Sequence, residues 1–473
     1  MKKIILLSII LFTGNLQAQF IDKKPPTEEE LKINNTSNTS ELLKTASEAL
    51  KEKNYNSLVI NMERIVELNP NVPALQYKLA EAYSLSDDKT GAYNLLIKLQ
   101  KQGFYYDIED NPNFANIYGF NVFKYIKTNF DANGAHYGKG EAVFNIDKSF
   151  SGLLFESIAY DQNSQSFLMG SLRDGRIIKI AADREITELV PATLGLLVGP
   201  WATIDMAVDE KNDVLWVASS SITQYGKFAK ETSGHSGIFK YQLSTGKYIK
   251  SYLIPKNKTP SFISSMHLTV QGDLYFIGNL NKVVLKIAKD SDDMTAVFSS
   301  DKYSNLRSIT SDETGEIIYL SDNSEGIIIV NVKSGKYLTI KNTPALNLYG
   351  ITDLIYDNNG LVFIQSDISP ERVMKIQLED NKAVVKNIIP IESSHASFNS
   401  LSTGVIVGKD LYYIGNSQMT KANAFGGLTK NAQWENMNII KSDTHFNEES
   451  SIKYQEQIKE YEKKNKEESK SSQ

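Results

Sequence analysis

Five carboxylates, Asp312, Glu313, Glu316, Asp322 and Glu325, fall within fourteen positions of the stretch SITSDETGEIIYLSDNSEGIIIVNVKSGK (308–336). Converging carboxylates hold a hard cation or work as an acid–base pair. Spacing decides whether either is open to them. The segment IIYLS between the two groups reads as a strand, and about five extended residues span roughly 16 Å. Asp312, Glu313 and Glu316 therefore share a turn at one end, where Gly315 supplies a permissive backbone, and Asp322 and Asn323 lie at the other end. Other chemical signatures fail. His136, His235, His267, His395 and His445 show no metal-ligand spacing. GHSG (234–237) sets Ser236 beside His235 but lacks the G-x-S-x-G spacing of a nucleophile elbow. The absence of cysteine excludes disulfides, thiolate nucleophiles and cysteine-ligated zinc. No phosphate loop or dinucleotide fingerprint is present.

The acidic stretch is one copy of a repeat. ESIAYDQNSQSFLMGSLRDGRIIKI (156–180), IDMAVDEKNDVLWVASS (204–220), SMHLTVQGDLYFIGNLNKVVLKI (265–287), RSITSDETGEIIYLSDNSEGIIIVNV (307–332), TDLIYDNNGLVFIQSDISPERVMKI (352–376) and TGVIVGKDLYYIGNSQ (403–418) superimpose. Each has an apolar strand, a polar tight turn and a second strand, often aromatic. A third strand and often a fourth follow. Six copies at roughly 40–50 residues predict a six-bladed β-propeller over 138–445. GEAVFNID (140–147) precedes the first copy and is expected to complete the last blade, closing the ring and hiding an edge.

The period turns helical over 40–130, so the chain as a whole is mainly β with an N-terminal α region. SELLKTASEALKEKNYNSLVINMERIVELNP and ALQYKLAEAYSLSDDKTGAYNLLIKLQKQG read as two helical hairpins, with Pro73 opening the third helix. Their spacing of roughly 34 residues is the tetratricopeptide period, and LAEAYSLSDDKTGAYNLLIKLQKQG resembles that family. Phe114, Tyr118, Phe120 and Phe123 are expected to pack on the last pair. The helices imply a protein partner or a cap for the propeller.

MKKIILLSIILFTGNLQAQF carries a basic start, a short apolar run and Ala18 at a cleavage point, which together predict a signal peptide over 1–18. A polar linker over 19–39 and a charged, partly helical or disordered tail over 446–473 are expected. With no cysteine for lipid attachment and no later span, the mature protein is expected in the periplasm or outside the cell, without a membrane span. A net charge of −5 gives no footprint for nucleic acid.

FESIAYD, DMAVDEKNDVLWVAS, GDLYFIGNLNKVVLKI and TSDETGEIIYLSDN resemble the six-bladed propellers of the SMP-30/gluconolactonase family and NHL repeats. Strand alternation puts the loop before each first strand, and the loop between strands two and three, at one mouth of the channel. Glu156, Asp205, Asn279, Arg307, Asp322, Asn323, Asp353 and Asn416 are the candidate ligand-binding residues there, with no catalytic residue assigned. The insert SSITQYGKFAKETSGHSG (220–237) is expected to overhang this mouth as a partial lid. The resemblance implies a divalent cation, usually Ca²⁺, on a Glu, an Asn and an Asp before first strands. Glu156 stands at the Glu position and is the one metal candidate. Ser265 and Arg307 stand at the other two, and Arg307 would repel a cation and pair with Glu156 instead. The expected function is an exported non-catalytic binding or scaffold protein, with a small ligand or partner loop at the mouth. The alternative is a metal-dependent lactonase or esterase.

Overall fold

A computed structural model describes residues 27–255, 260–340, 343–379, 384–457 and 460. The signal peptide expected over 1–18, the first part of the linker and the tail beyond 460 lie outside the described residues. Six four-stranded antiparallel sheets form the propeller. Their innermost strands are Phe155–Asp161, Ala202–Asp209, Ile263–Leu268, Leu306–Ser311, Ile351–Asp357 and Gly404–Val407, for blades one to six in chain order. Glu141–Ile146 is the outer strand of blade six, paired with Met437–Asp443, so the start of the propeller closes its end.

The blades hold together by burying the apolar faces that each sheet presents to its neighbour. Between blades three and four, Tyr275, Ile277 and Val284 meet Ile318, Leu320, Ile328 and Val330, all buried. Each such side chain contributes about 1.5–3 kcal/mol on burial, which no single sheet obtains alone. Faces approach closely: a Cβ on Gly170 would stand 2.2 Å from the Thr203 methyl of the next blade. An aspartate ends or directly follows the inner strand of four blades, and in three of them it caps the turn that follows. Asp161 accepts from the Asn163 amide at 3.1 Å, Asp209 from Asn212 at 3.2 Å, and Asp312 from Ile317 at 3.3 Å. Asp357 accepts instead from the Asn358 side chain and the buried Lys375 ammonium, each at 2.9 Å. Gly315, with φ of +68°, completes the turn after Asp312.

The chain divides into two compact units, Met1–Leu68 and Asn69–Gln473. The first contains α1 (Glu28–Asn35), α2 (Thr39–Lys51) and α3 (Tyr55–Leu68). Helix α1 corrects the linker expected over 19–39: the Thr27 hydroxyl accepts from the Glu30 amide and starts a helix in sequence that reads as polar coil. Helices α2 and α3 pack as a hairpin.

The second unit contains the propeller together with α4 (Pro73–Leu85), α5 (Lys89–Lys101) and α6 (Asn121–Gly134). The helical stretch read as one region over 40–130 is thus shared between the two units. Pro73 opens α4 as expected, and the Asp88 side chain caps α5. Small Ala80 and Ala92 let α4 and α5 approach over Leu96 and Leu99, with Phe114 and Phe123 filling the base. Phe120 is partly exposed and keeps an edge contact with Tyr93 of α5. These helices are bolted to the mouth side of blades four and five. Arg372, buried, donates to the Gln102 carbonyl and the Gln365 side chain, both at 2.8 Å, and stacks on Phe104. The Tyr105 amide donates to the Ser369 carbonyl at 2.8 Å.

Past the last strand the chain is helical over 448–457. The tail expected to be charged and partly helical or disordered is thus ordered here and docks on blade five. Glu448 reaches buried Lys375 at 3.4 Å and also accepts from Gln377, while Gln455 holds both the amide and the carbonyl of Ile388. No described helix is long and apolar enough to cross a membrane.

Candidate ligand site at the channel mouth

The inner strands do not run straight into the mouth. The register slips between Phe155 and Ser157 in blade one, Thr203 and Asp205 in blade two, and Ile263 and Met266 in blade three. It slips again between Leu306 and Ser308 in blade four and between Ile351 and Asp353 in blade five. A bulge leaves a residue outside the ladder and re-aims its side chain. The residues so released are Glu156, Ile204, Ser264, Arg307 and Thr352, and Thr403 precedes the strand of blade six. All six line one cavity of about 1190 Å³. The remaining walls come from the loops between second and third strands, including Ser221–Gln224, Asn279, Asp367, Glu371 and Ser417, and from the loops before the inner strands of blades three and six, through Phe262 and Phe398.

This ring relocates two of the predicted site residues. Asp205 and Asp353 are one residue deeper than the mouth and do not line the cavity. Each instead clamps the next inner strand. Asp205 accepts from the Met266 amide at 2.8 Å and the Ser265 hydroxyl at 3.0 Å, and from its neighbour Met206 at 2.8 Å. Asp353 accepts from the Gly404 amide at 2.9 Å and the Ser308 hydroxyl at 2.8 Å. Burial pushes the Asp205 carboxyl up to about 7 against those donors, and the negative charge of Asp353 adds to the rise. Burial raises Asp353 likewise.

Glu156 and Arg307 face the cavity from blades one and four, on opposite sides of the ring. The ion pair expected between them does not form. Glu156 accepts instead from the Ser402 hydroxyl at 2.6 Å, and its second carboxylate oxygen is buried without a hydrogen bond. Burial raises the Glu156 carboxyl, and Ser402, Ser417 and the Arg307 charge pull it back. Among the described residues nothing hydrogen-bonds or ion-pairs with the Arg307 guanidinium.

Asn279 lines the cavity, its amide donating to the Phe262 carbonyl. Asp322, Asn323 and Asn416 do not. Asp322 is buried and takes the amides of Asn305, Ser324 and Glu325, and the Asn323 amide and carbonyl tie Asn305 to Gly350. Asn416 bridges Asn436 and Asn438. The insert does overhang the mouth. Its Ser221, Thr223, Gln224 and Phe228 line the cavity, and Arg173 pins it through the Gln224 carbonyl at 2.7 Å. Ser236 pairs with Ser261 at 2.6 Å and His235 with the Leu197 carbonyl, so GHSG is a strand start and no catalytic pair.

Sequence reasoning missed Glu371. It lines the cavity, accepts from the Leu401 amide at 3.3 Å, and is pushed up to about 7 by burial, with Asp367 raising it further. Its position before a third strand carries no distinguishing pattern.

The residues present do not suit a hard cation. Glu156 is the one carboxylate in the ring, with a guanidinium, an isoleucine and hydroxyls at the other positions. No three acidic or imidazole groups converge among the described residues.

No family model and no curated protein matches the sequence. Solved structures resemble it at low identity. A virginiamycin B lyase from Staphylococcus aureus is 13% identical, with a TM-score of 0.41 over 64% of this chain and 99% of that one. A PQQ-bound aldose sugar dehydrogenase from Streptomyces coelicolor is 12% identical, with a TM-score of 0.42 over 65% and 99%. A luciferin-regenerating enzyme is 10% identical, with a TM-score of 0.43 over 65% and 95%. Nothing about ligand or reaction passes from them to this chain.

Proposed function

We propose that the protein is an exported, non-catalytic binding protein that holds a small polar molecule at the channel mouth, with its helices contacting a protein partner. One observation carries this reading. The cavity is of ligand size, lined by hydroxyls and amides together with apolar side chains such as Phe228, Phe262 and Leu280, and presents a guanidinium that no side chain among the described residues satisfies. No histidine is among its lining residues. The test is a thermal-shift and calorimetric screen of neutral disaccharides, sugar acids and short peptides, with Ser264→Trp as the cavity-filling control. One class raises the melting temperature of the wild type and leaves the filled variant unmoved. A screen in which no class binds refutes the reading. Export is checked by the mature N-terminus in the periplasmic or culture fraction, and intact Met1 there counts against it.

A second reading, ester or lactone hydrolysis, is favoured by one contact: the Ser402 hydroxyl donates to a buried carboxylate, Glu156. Turnover of aryl esters or simple lactones that is lost in Glu156→Gln would establish it and overturn the first.

A further inference from the structure

The cavity carries ionisable groups of both signs. On the blade-four side stands Arg307, a permanent cation that no side chain among the described residues satisfies. Glu156 faces it across the ring from blade one, and Asp367 and Glu371 stand on the loop of blade five, the blade next to it. Glu371 takes the Leu401 amide, and the next residue along, Ser402, holds Glu156. The wall lacks a cation of its own. Asp367 is close enough to Glu371 to oppose its ionisation.

We infer that the ligand is zwitterionic, a short peptide or amino acid whose carboxylate is taken by Arg307 and whose ammonium is taken by Glu371 and Asp367. A guanidinium favours a carboxylate through paired, charge-assisted hydrogen bonds. An ammonium supplies three donors and relieves the repulsion between neighbouring carboxylates. A sugar acid would satisfy Arg307 and leave the acidic wall uncompensated. A neutral sugar would leave both. The hydroxyl and amide side walls, Thr352, Ser264, Asn279 and Gln224, suit the peptide groups between the two ends.

This inference rests on the mouth being a binding site and is tested separately from it. Calorimetry on the full chain compares Ala-Ala-Ala with its N-acetyl and C-amide forms, glucuronate and maltose. Ala-Ala-Ala binds, and blocking either end weakens it about tenfold or more, the loss of one charge-assisted contact. Arg307→Lys retains part of the affinity. Arg307→Ala removes the discrimination against the amide while leaving that against the acetyl form. If maltose or glucuronate binds at the mouth and the tripeptide does not, the zwitterion is refuted and the binding site stands. Equal binding of free and blocked peptides also refutes it. If no probe binds, both readings fall.

Discussion

Asp205 provides the sharpest test of the channel electrostatics, because its carboxyl clamps two blades while buried. The group is pushed up to about 7 in the folded protein and titrates near 3.9 in an unfolded chain. Between those values the folded state binds a proton that the unfolded state does not, so stability falls as pH rises. The slope is about 1.4 kcal/mol per pH unit for one group, and about 4 kcal/mol across the whole interval. Asp353 and Glu371 are raised by burial too and act with the same sign. Asp205→Asn cannot titrate and removes one proton's share of the slope. It also carries a single carbonyl oxygen where the two oxygens of the carboxyl group serve the Met206 and Met266 amides and the Ser265 hydroxyl. One donor left unpaired costs about 1–3 kcal/mol. The variant is therefore less stable than wild type at pH 5 and closes on it, or overtakes it, by pH 8. Urea unfolding across that range, at constant ionic strength, reads the two curves directly. Parallel curves would refute the assignment of a raised, buried carboxyl to Asp205.

Three further outcomes follow from contacts away from the mouth. Arg372→Ala leaves the Gln102 carbonyl and the Gln365 side chain without their donor and should cost about 2–4 kcal/mol. Proteolysis opening first near 102–105 would show that the helices loosen there, and Arg372→Lys should not restore them, because lysine lacks the planar fork. Ile146→Ala, in the closing strand, should cost about 2–5 kcal/mol in denaturant unfolding, since Ile146 is buried where blade six is sealed. A cost below that range would mean the strand is dispensable. Truncation after Phe446 removes Glu448 from buried Lys375, and Lys375→Met in the truncated chain should recover stability rather than lose it, since an ammonium buried with less compensation is worse than an apolar side chain. A further loss would show that Asp357 alone satisfies the lysine.

The ring itself was legible because its causes are local. Alternating apolar residues make the strands, and Asp161, Asp209 and Asp312 each bond the turn they precede. A repeat of both signals leaves few folds other than a propeller. Glu156 and Arg307 were legible for the same reason, since each stands directly before an apolar strand. Asp205 and Asp353 were misplaced by one residue because the bulge that decides inside from outside has no signature in residue type. Ile204 and Thr352, which take the mouth positions, look like ordinary strand residues, and a single slip of register exchanges the two faces. Asp322 and Asn416 failed differently. A short polar side chain at a strand end suits a ligand and a backbone amide equally well, and the nearby amides of Ser324 and Asn438 claim them. The consequence is that acidic residue count before the strands overstates the charge offered to a ligand. Two of the three pre-strand carboxylates are spent on joining blades, and the charge that remains at the mouth is set by Glu156, by the loop residues Asp367 and Glu371, and by Arg307.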